Sequence, residues 1–361
     1  MESFSETTPV TSASQKPYDE YPGPEAIDAF CDELKTLAKK ATKNIIVEHE
    51  AIPPYTTQYM SGQVSARGTH FVKITTSAEN NLPPFYCLWQ PVSPGSGDRK
   101  STRRPLLVHT PGYAGTMHSH PDLQANGYNI LHVNPLGLNS PSGFDATKMR
   151  PLTPTVLSTF EEGAQKKDPL IAQLYRSVGD TGVPAVLFDT IDSDGAKGYK
   201  QWLLSCLVAV QWAKKQKTVD SERIATFGTS QGGGGSLLLA SILSSRAISC
   251  CAADQPFLTD LKTLVRLTDA CHPVTAEFKF RMMHMEEAEA RKKWWHLGFY
   301  DTLSHAHRLV MPCLLTSGSA DYTCPAESIS NLYARLPSTR SLTEEKGRSH
   351  GGMVPFHRLA L

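Results

Sequence analysis

Neither sign of charge dominates this chain: 36 Lys and Arg stand against 35 Asp and Glu over 361 residues, a formal net charge of +1, and no long run of one sign occurs. That balance lacks the basic stripe of a nucleic-acid binder, so the expected partner is a small neutral molecule and not nucleic acid. No apolar run is long enough to cross a bilayer, and the stretch from Met1 to Gly23 lacks a basic segment followed by an apolar one. These absences predict a cytoplasmic protein with no membrane partner. Cysteine is sparse as well: Cys31, Cys87, Cys206, Cys250, Cys251, Cys271, Cys313 and Cys324 include no C-x-x-C pair, which argues against a disulfide scaffold and leaves most of them as buried thiols.

Two phosphate-binding signatures are missing at the most glycine-rich point of the chain. Gly228 to Gly233 is followed by Gly234 and Gly235, where a Walker loop needs Lys and then Ser or Thr. The residues after Gly228 are Thr229 and Ser230, so the spacing of a dinucleotide fingerprint fails too. What the stretch does contain is Gly228-Thr229-Ser230-Gln231-Gly232, between a strand read over Arg223–Phe227 and a buried helix read over Ser236–Leu243. This is G-x-S-x-G in a strand–turn–helix setting, the nucleophile elbow. A serine on such a turn has an exposed oxygen, and the helix N-terminal amides after it, beginning with the N–H of Gln231, are available to an oxyanion.

The remaining pattern predicts an α/β fold: a mostly parallel central sheet flanked by helices, with a helical cap. Residues 1–22, rich in Ser, Thr and Pro, read as a flexible tail, and residues 23–361 as one domain. Helical spacing runs from Pro24 to Lys43, and extended runs at Ile45–Val47, His70–Thr76 and Phe85–Trp89 predict an antiparallel edge. Strands at Pro105–His109 and Asn129–Val133 begin the parallel alternation. Asn139 to Lys197 reads as long and irregular, with a weak helix around Leu170–Tyr175, and is expected to wall the pocket. A helix over Gly198–Lys214 leads into the elbow strand. Beyond it lie a strand at Ile248–Ala253, a helical cap at about 258–308, a strand at Val310–Thr316, a helix at Ala326–Leu336 and a strand at Arg340–Thr343. Met282, Met283, Met285, Trp294 and Trp295 of the cap are expected to pack between cap and sheet.

In such a sheet the catalytic partners arrive as serine, then acid, then histidine, the last two on loops after the final strands. Ser230, Asp321 and His350 have that order and setting. The imidazole has to deprotonate the serine and later protonate the leaving alcohol, while the carboxylate holds the tautomer. Asp254 is the rival acid because it also ends a strand; Asp260 and Asp269 are weaker candidates. Among thirteen histidines, His350 alone follows the last strand in a glycine-rich loop, whereas His305 and His307 precede a strand and His357 lies past the loop. Pro111-Gly112-Tyr113-Ala114-Gly115, at the end of an earlier strand, makes the backbone N–H of Tyr113 the second oxyanion donor beside that of Gln231. Read alone, that loop is equally an ordinary turn. His118-Ser119-His120 and Asp122 could supply zinc ligands to a deacetylase, but the spacing is weakly specific and no helix puts two imidazoles at i and i+4. The expected cofactors and metals are none.

From about Leu82 to His350 the chain resembles the acetyl xylan esterase and cephalosporin-C deacetylase group, carbohydrate esterase family seven. The resemblance rests on Pro111-Gly112-Tyr113, Thr229-Ser230-Gln231-Gly232-Gly233-Gly234, Asp254-Gln255-Pro256-Phe257-Leu258, Phe299-Tyr300-Asp301 and Gly318-Ser319-Ala320-Asp321-Tyr322-Thr323-Cys324-Pro325. It implies an α/β-hydrolase with Ser230 as nucleophile, Asp321 as acid, His350 as base, and the amides of Tyr113 and Gln231 as oxyanion hole. It also implies an acetylated, sugar-like substrate and a homo-oligomer. The chain departs from the family at Leu136-Gly137-Leu138, where Arg-Gly-Gln is usual, at Pro111 in place of histidine and at Gly351 in place of glutamate. The family's supporting polar contacts, its substrate and its hexamer therefore do not carry over on sequence alone. A serine peptidase of the same fold and a non-catalytic binding protein are the alternatives to a short-acyl esterase. If Tyr113 and the Pro256-Phe257 turn close over Ser230, the acyl pocket is shallow and acetyl fits best.

Overall fold

The computed structural model describes residues 20–52, 68–92, 103–113, 119–134, 136, 139–140, 143–167, 169–244, 247–267 and 272–351. Helix α1 (Pro24–Ala41) precedes three strands, β1 (Ile46–Glu50), β2 (His70–Thr75) and β3 (Phe85–Gln90). Next come β4 (Arg104–Thr110), α2 (Pro121–Ala125) and β5 (Asn129–Val133). Short strands β6 (Asn139–Ser140), β7 (Gly143–Phe144), β8 (Met149–Arg150) and β9 (Val183–Pro184) accompany helices α3 (Pro154–Lys167), α4 (Pro169–Thr181) and α5 (Val186–Asp192). Helix α6 (Tyr199–Ala213) leads to β10 (Val219–Thr229), α7 (Gln231–Leu243) and β11 (Ile248–Asp254). Helices α8 (Leu261–Leu267), α9 (Pro273–Met283) and α10 (Glu287–Gly298) follow, then β12 (Cys313–Gly318), α11 (Ala326–Arg335) and β13 (Arg340–Glu345).

Nine strands form one sheet in the order β1-β2-β3-β5-β4-β10-β11-β12-β13. The pairs β1–β2, β2–β3 and β3–β5 are antiparallel; every pair from β5 to β13 is parallel. The central parallel strands are covered on both faces: all five residues of β5 and the last five of β4 are buried. One core face collects Leu106, Val108, Leu131 and Val133 against α1, α6 and α7, and the opposite face collects Leu107, Ile130, Ala225, Phe227 and Ala252. The two sets alternate along each strand, the period-two signature that fixes register.

Two expectations about element bounds need correction, and one observation concerns the N-terminal stretch: Glu20 pairs with Lys262 at 2.8 Å, and the Tyr21 hydroxyl donates to Asp301 Oδ2 at 2.8 Å. A buried carboxylate and a lysine anchor these residues, while residues 1–19 lie outside the described chain. The segment from Asn139 to Lys197 is largely helical rather than irregular, because Pro154 and Pro169 stand at the first positions of α3 and α4, where a proline starts a helix instead of breaking one. Finally, α7 begins at Gln231 and not at Ser236. Four successive glycines disfavour an isolated helix by about 1 kcal/mol each, but all thirteen residues of α7 are buried and packing overrides propensity.

Among the described residues no helix is long and apolar enough to cross a membrane. The cap methionines and tryptophans divide. Met282 is buried and Trp294 packs on Phe278 at 6.0 Å between ring centroids, while Met283 and Trp295 face solvent.

Candidate active site

Ser230 occupies the turn between β10 and α7 with φ 59° and ψ −125°, a left-handed conformation that a non-glycine residue adopts only when its surroundings hold it there. The restraints are visible. Ser230 N donates to Asp254 O at 2.9 Å, and Phe257 N donates to Ser230 O at 2.9 Å. The crossing chain leaves no room for side chains beside the serine: a Cβ on Gly232 would collide with Thr110 O, and one on Gly228 with the same oxygen. That is the physical reason for glycine at both ends of the motif.

The loop after β13 carries His350 to the serine, and the loop after β12 carries Asp321 to the histidine. His350 Nε2 lies 2.9 Å from Ser230 Oγ, and His350 Nδ1 lies 2.9 Å from Asp321 Oδ2. The carboxylate only accepts, so Nδ1 carries the proton and Nε2 presents its lone pair to the serine hydroxyl. Asp321 is buried, and its other oxygen accepts from the amides of Thr323 at 2.9 Å and Cys324 at 2.8 Å. The D-x-x-C segment thus cradles the carboxylate through its backbone, and burial raises the Cys324 thiol pKa far above its ordinary value.

Asp254 does not reach the histidine. Its carboxylate accepts from the hydroxyls of Thr229, at 3.0 Å, and of Thr316, tying β10 and β12 together behind the elbow. Asp260 accepts from Thr263 N and Asn331 Nδ2, while Asp269 lies outside the described residues. Among the other histidines, His305 is buried between Ser241 and the carbonyl of Phe299, and His307 faces Asp28. His357 lies outside the described residues, as do Ala114 and Gly115 of the first loop, His118, and Gly137 and Leu138.

Tyr113 sits beside the serine. Gly112 lies under Ser230 Cβ, the Tyr113 hydroxyl donates to Pro184 O at 2.8 Å, and its ring meets that of Phe257 edge-on at 6.1 Å. Tyr113, Phe257, His272, Val274, Thr275 and Thr323 surround Ser230 in a cavity of about 10 Å³. Gln231, at the first position of α7, is buried, and its side-chain oxygen accepts from Tyr199 at 2.8 Å.

Two residues of this environment escaped the sequence reading. Gln255 is fully buried with φ 42°. Its Nε2 donates to Asp321 Oδ2 at 2.9 Å and to Ser349 O at 3.1 Å, and its Oε1 accepts from Gly351 N at 2.8 Å. It therefore grips the residues on both sides of His350 and the acid at once. Its signals in the sequence were its place directly after Asp254 at a strand end and within the Asp254-Gln255-Pro256-Phe257-Leu258 segment. His272 stands at the N-cap of α9 and accepts from Val274 N through Nδ1. Burial, and secondarily the neighbouring His350, push its imidazole down to about 4, so it is neutral at neutral pH.

A serine on a strand-to-helix elbow, at the carboxyl ends of parallel strands and joined through an imidazole to a buried carboxylate, defines an α/β-hydrolase fold with a Ser-His-Asp constellation. Residues 189–360 match the acetyl xylan esterase family (AXE1), a likeness that supports a carboxylic ester hydrolase. The fold is similar to acetyl xylan esterase 1 from Thermoanaerobacterium sp. JW/SL YS485, with a TM-score of 0.66 and 18% identity over 94% of this chain and 92% of that one. It is also similar to an acetyl xylan esterase from Paenibacillus sp. R4, with a TM-score of 0.62 and 19% identity over 95% of both chains. No curated protein matches the chain by sequence.

Proposed function

We propose that the protein is a serine carboxylesterase that removes acetyl and other short acyl groups from a sugar-like alcohol through an acyl-enzyme. The observation that carries this reading is the unbroken chain of contacts from Ser230 Oγ to His350 Nε2 and from His350 Nδ1 to Asp321 Oδ2, each 2.9 Å long. As Ser230 Oγ attacks the acyl carbon, His350 Nε2 takes its proton. The carbonyl oxygen becomes an oxyanion between the backbone N–H groups of Tyr113 and Gln231. Collapse breaks the ester C–O bond, and His350 returns the proton to the departing alcohol. Water then repeats the sequence on the acyl-serine, with Asp321 stabilising the imidazolium in both halves.

Short acyl specificity is supported by the small cavity over Ser230, lined by Tyr113 and Phe257. About 10 Å³ is room for roughly one water molecule, which favours a methyl over a longer chain. Each methylene kept out forfeits about 0.8 kcal/mol of burial, before any clash is added. The cysteines among the described residues are free thiols, which supports a reducing, cytoplasmic setting.

Two assays test the reading. A fluorophosphonate should label the protein stoichiometrically, and Ser230→Ala should abolish labelling; a folded wild-type chain that never labels leaves only a binding role. Specificity constants on aryl esters from acetate to octanoate should be highest at acetate and fall steeply. A maximum at hexanoate or beyond refutes the short-acyl assignment, and turnover of an aryl amide matching that of the ester makes the protein a peptidase.

A further inference from the structure

A second cluster of chemically capable side chains lies on the sheet face bearing Phe227, and the ester-cleaving residues make no use of it. His109 on β4 and His132 on β5 are direct cross-strand partners, and His120 at the N-cap of α2 meets both. The three rings have centroids 4.8, 5.0 and 5.2 Å apart, and one nitrogen from each falls within 4.8 Å of the other two. All three are buried, on a face otherwise built from Leu107, Ile130, Ala225, Phe227 and Ala252. Three imidazoles interrupting that apolar alternation incur desolvation that aliphatic residues would not, and their nitrogens converge on one point.

The surroundings orient the rings as ligands. Gln90 is fully buried, and its carboxamide is fixed by two bonds to the His120 backbone: Nε2 donates to His120 O at 3.0 Å, and Oε1 accepts from His120 N at 3.0 Å. Those bonds identify the oxygen, which also lies 3.4 Å from His132 Nε2. His132 therefore carries its proton on Nε2, toward Gln90, and turns the lone pair of Nδ1 toward His109 Nδ1, 2.9 Å away. A ring whose outer N–H is held by a carbonyl while its inner nitrogen faces other imidazoles has the arrangement of a metal-bound histidine.

We propose that His109, His120 and His132 form a zinc site, with Gln90 as the residue that orients His132. Neutral imidazole suits zinc, and three histidines with one position left for water is an established coordination set. Zinc–nitrogen bonds of about 2.0–2.1 Å place tetrahedral ligands about 3.4 Å apart, so the His109 and His132 nitrogens need separate by only about 0.5 Å. Binding through His109 Nδ1 requires that ring to carry its proton on Nε2. Of the zinc ligands weighed from sequence spacing, His120 belongs to this cluster, Asp122 is exposed and His118 lies outside the described residues.

The test is metal content, which is independent of esterase activity. The whole chain, purified without a histidine tag, is equilibrated with Zn2+, passed over a chelating resin and analysed for zinc. About one zinc per chain is expected in the wild type, in Ser230→Ala and in His49→Ala, the last removing the exposed His49–His70 pair as an alternative site. His109→Leu and His132→Phe should lose the ion, and Gln90→Leu should bind it about 10–100-fold more weakly. If these variants fail to fold, Co2+ added to the wild type decides: a tetrahedral visible spectrum supports the site. A zinc-free wild type whose Co2+ spectrum stays that of the aquo ion overturns the proposal, as does full zinc retention in both folded histidine variants.

Discussion

Replacing Gln255 with methionine tests whether His350 is held in place or merely lies nearby. The substitution keeps most of the volume, and methionine is no more strained than glutamine at φ 42°. It removes the bonds to Ser349 O and Gly351 N on either side of His350, and the bond to Asp321 Oδ2. Each loop bond has a net worth of about 1 kcal/mol, so the productive position of His350 loses roughly 2 kcal/mol relative to its alternatives. That corresponds to about a 30-fold fall in kcat. Because Gln255 does not line the cavity over Ser230, KM for an aryl acetate should change by less than about twofold. The charge-assisted bond to Asp321 adds about 1.5–3 kcal/mol shared with global stability, and the melting temperature should drop by several degrees. Steady-state kinetics and a thermal melt on the same preparation separate the two effects. A variant that melts earlier but keeps kcat within about threefold would falsify the clamp and leave Gln255 a packing residue only.

Asp321→Asn should fold and lose turnover by a factor of about 10⁴, because the amide favours the wrong histidine tautomer, while Asp254→Asn should lower stability with little effect on kcat; reversed effects would exchange the roles of the two carboxylates. Gly232→Ala should yield no folded enzyme, since its Cβ meets Thr110 O, whereas Gly23→Ala, with open space around it, should melt like the wild type; a soluble, active Gly232→Ala chain contradicts the crowding at the elbow. Burial pushes His305 and His272 down to about 4, below the ordinary 6.5, so the unfolded chain takes up their protons before the folded one does. Their stabilisation is complete above pH 6.5 and is lost as pH falls toward 4, at about 1.4 kcal/mol per pH unit for each. Denaturant midpoints over that range should show it, with the buried Asp301 opposing it because burial raises its carboxyl to about 6, and His305→Phe should reduce the loss by about 1.4 kcal/mol per pH unit.

The sequence by itself determined the strand–turn–helix setting of Ser230, the chain order of Asp321 and His350 after it, and the parallel sheet beneath them. Those features depend on local signals: glycines that only a crowded turn requires, apolar runs of strand length, and a histidine set in a glycine-rich loop after the last strand. Tertiary structure alone showed which of Asp321 and Asp254 meets His350, since both end strands in the sequence and only Asp321, cradled by the amides of Thr323 and Cys324, reaches that ring. It alone revealed Gln255, whose three partners lie 66, 94 and 96 residues away. It likewise gathered His109, His120 and His132, because two adjacent strands and a helix cap bring together side chains whose spacing in the chain matches no metal-binding motif. Residues that act through a turn or a periodicity announce themselves along the chain. Those that act through contacts closed by the whole sheet exist as a group only once the sheet has formed.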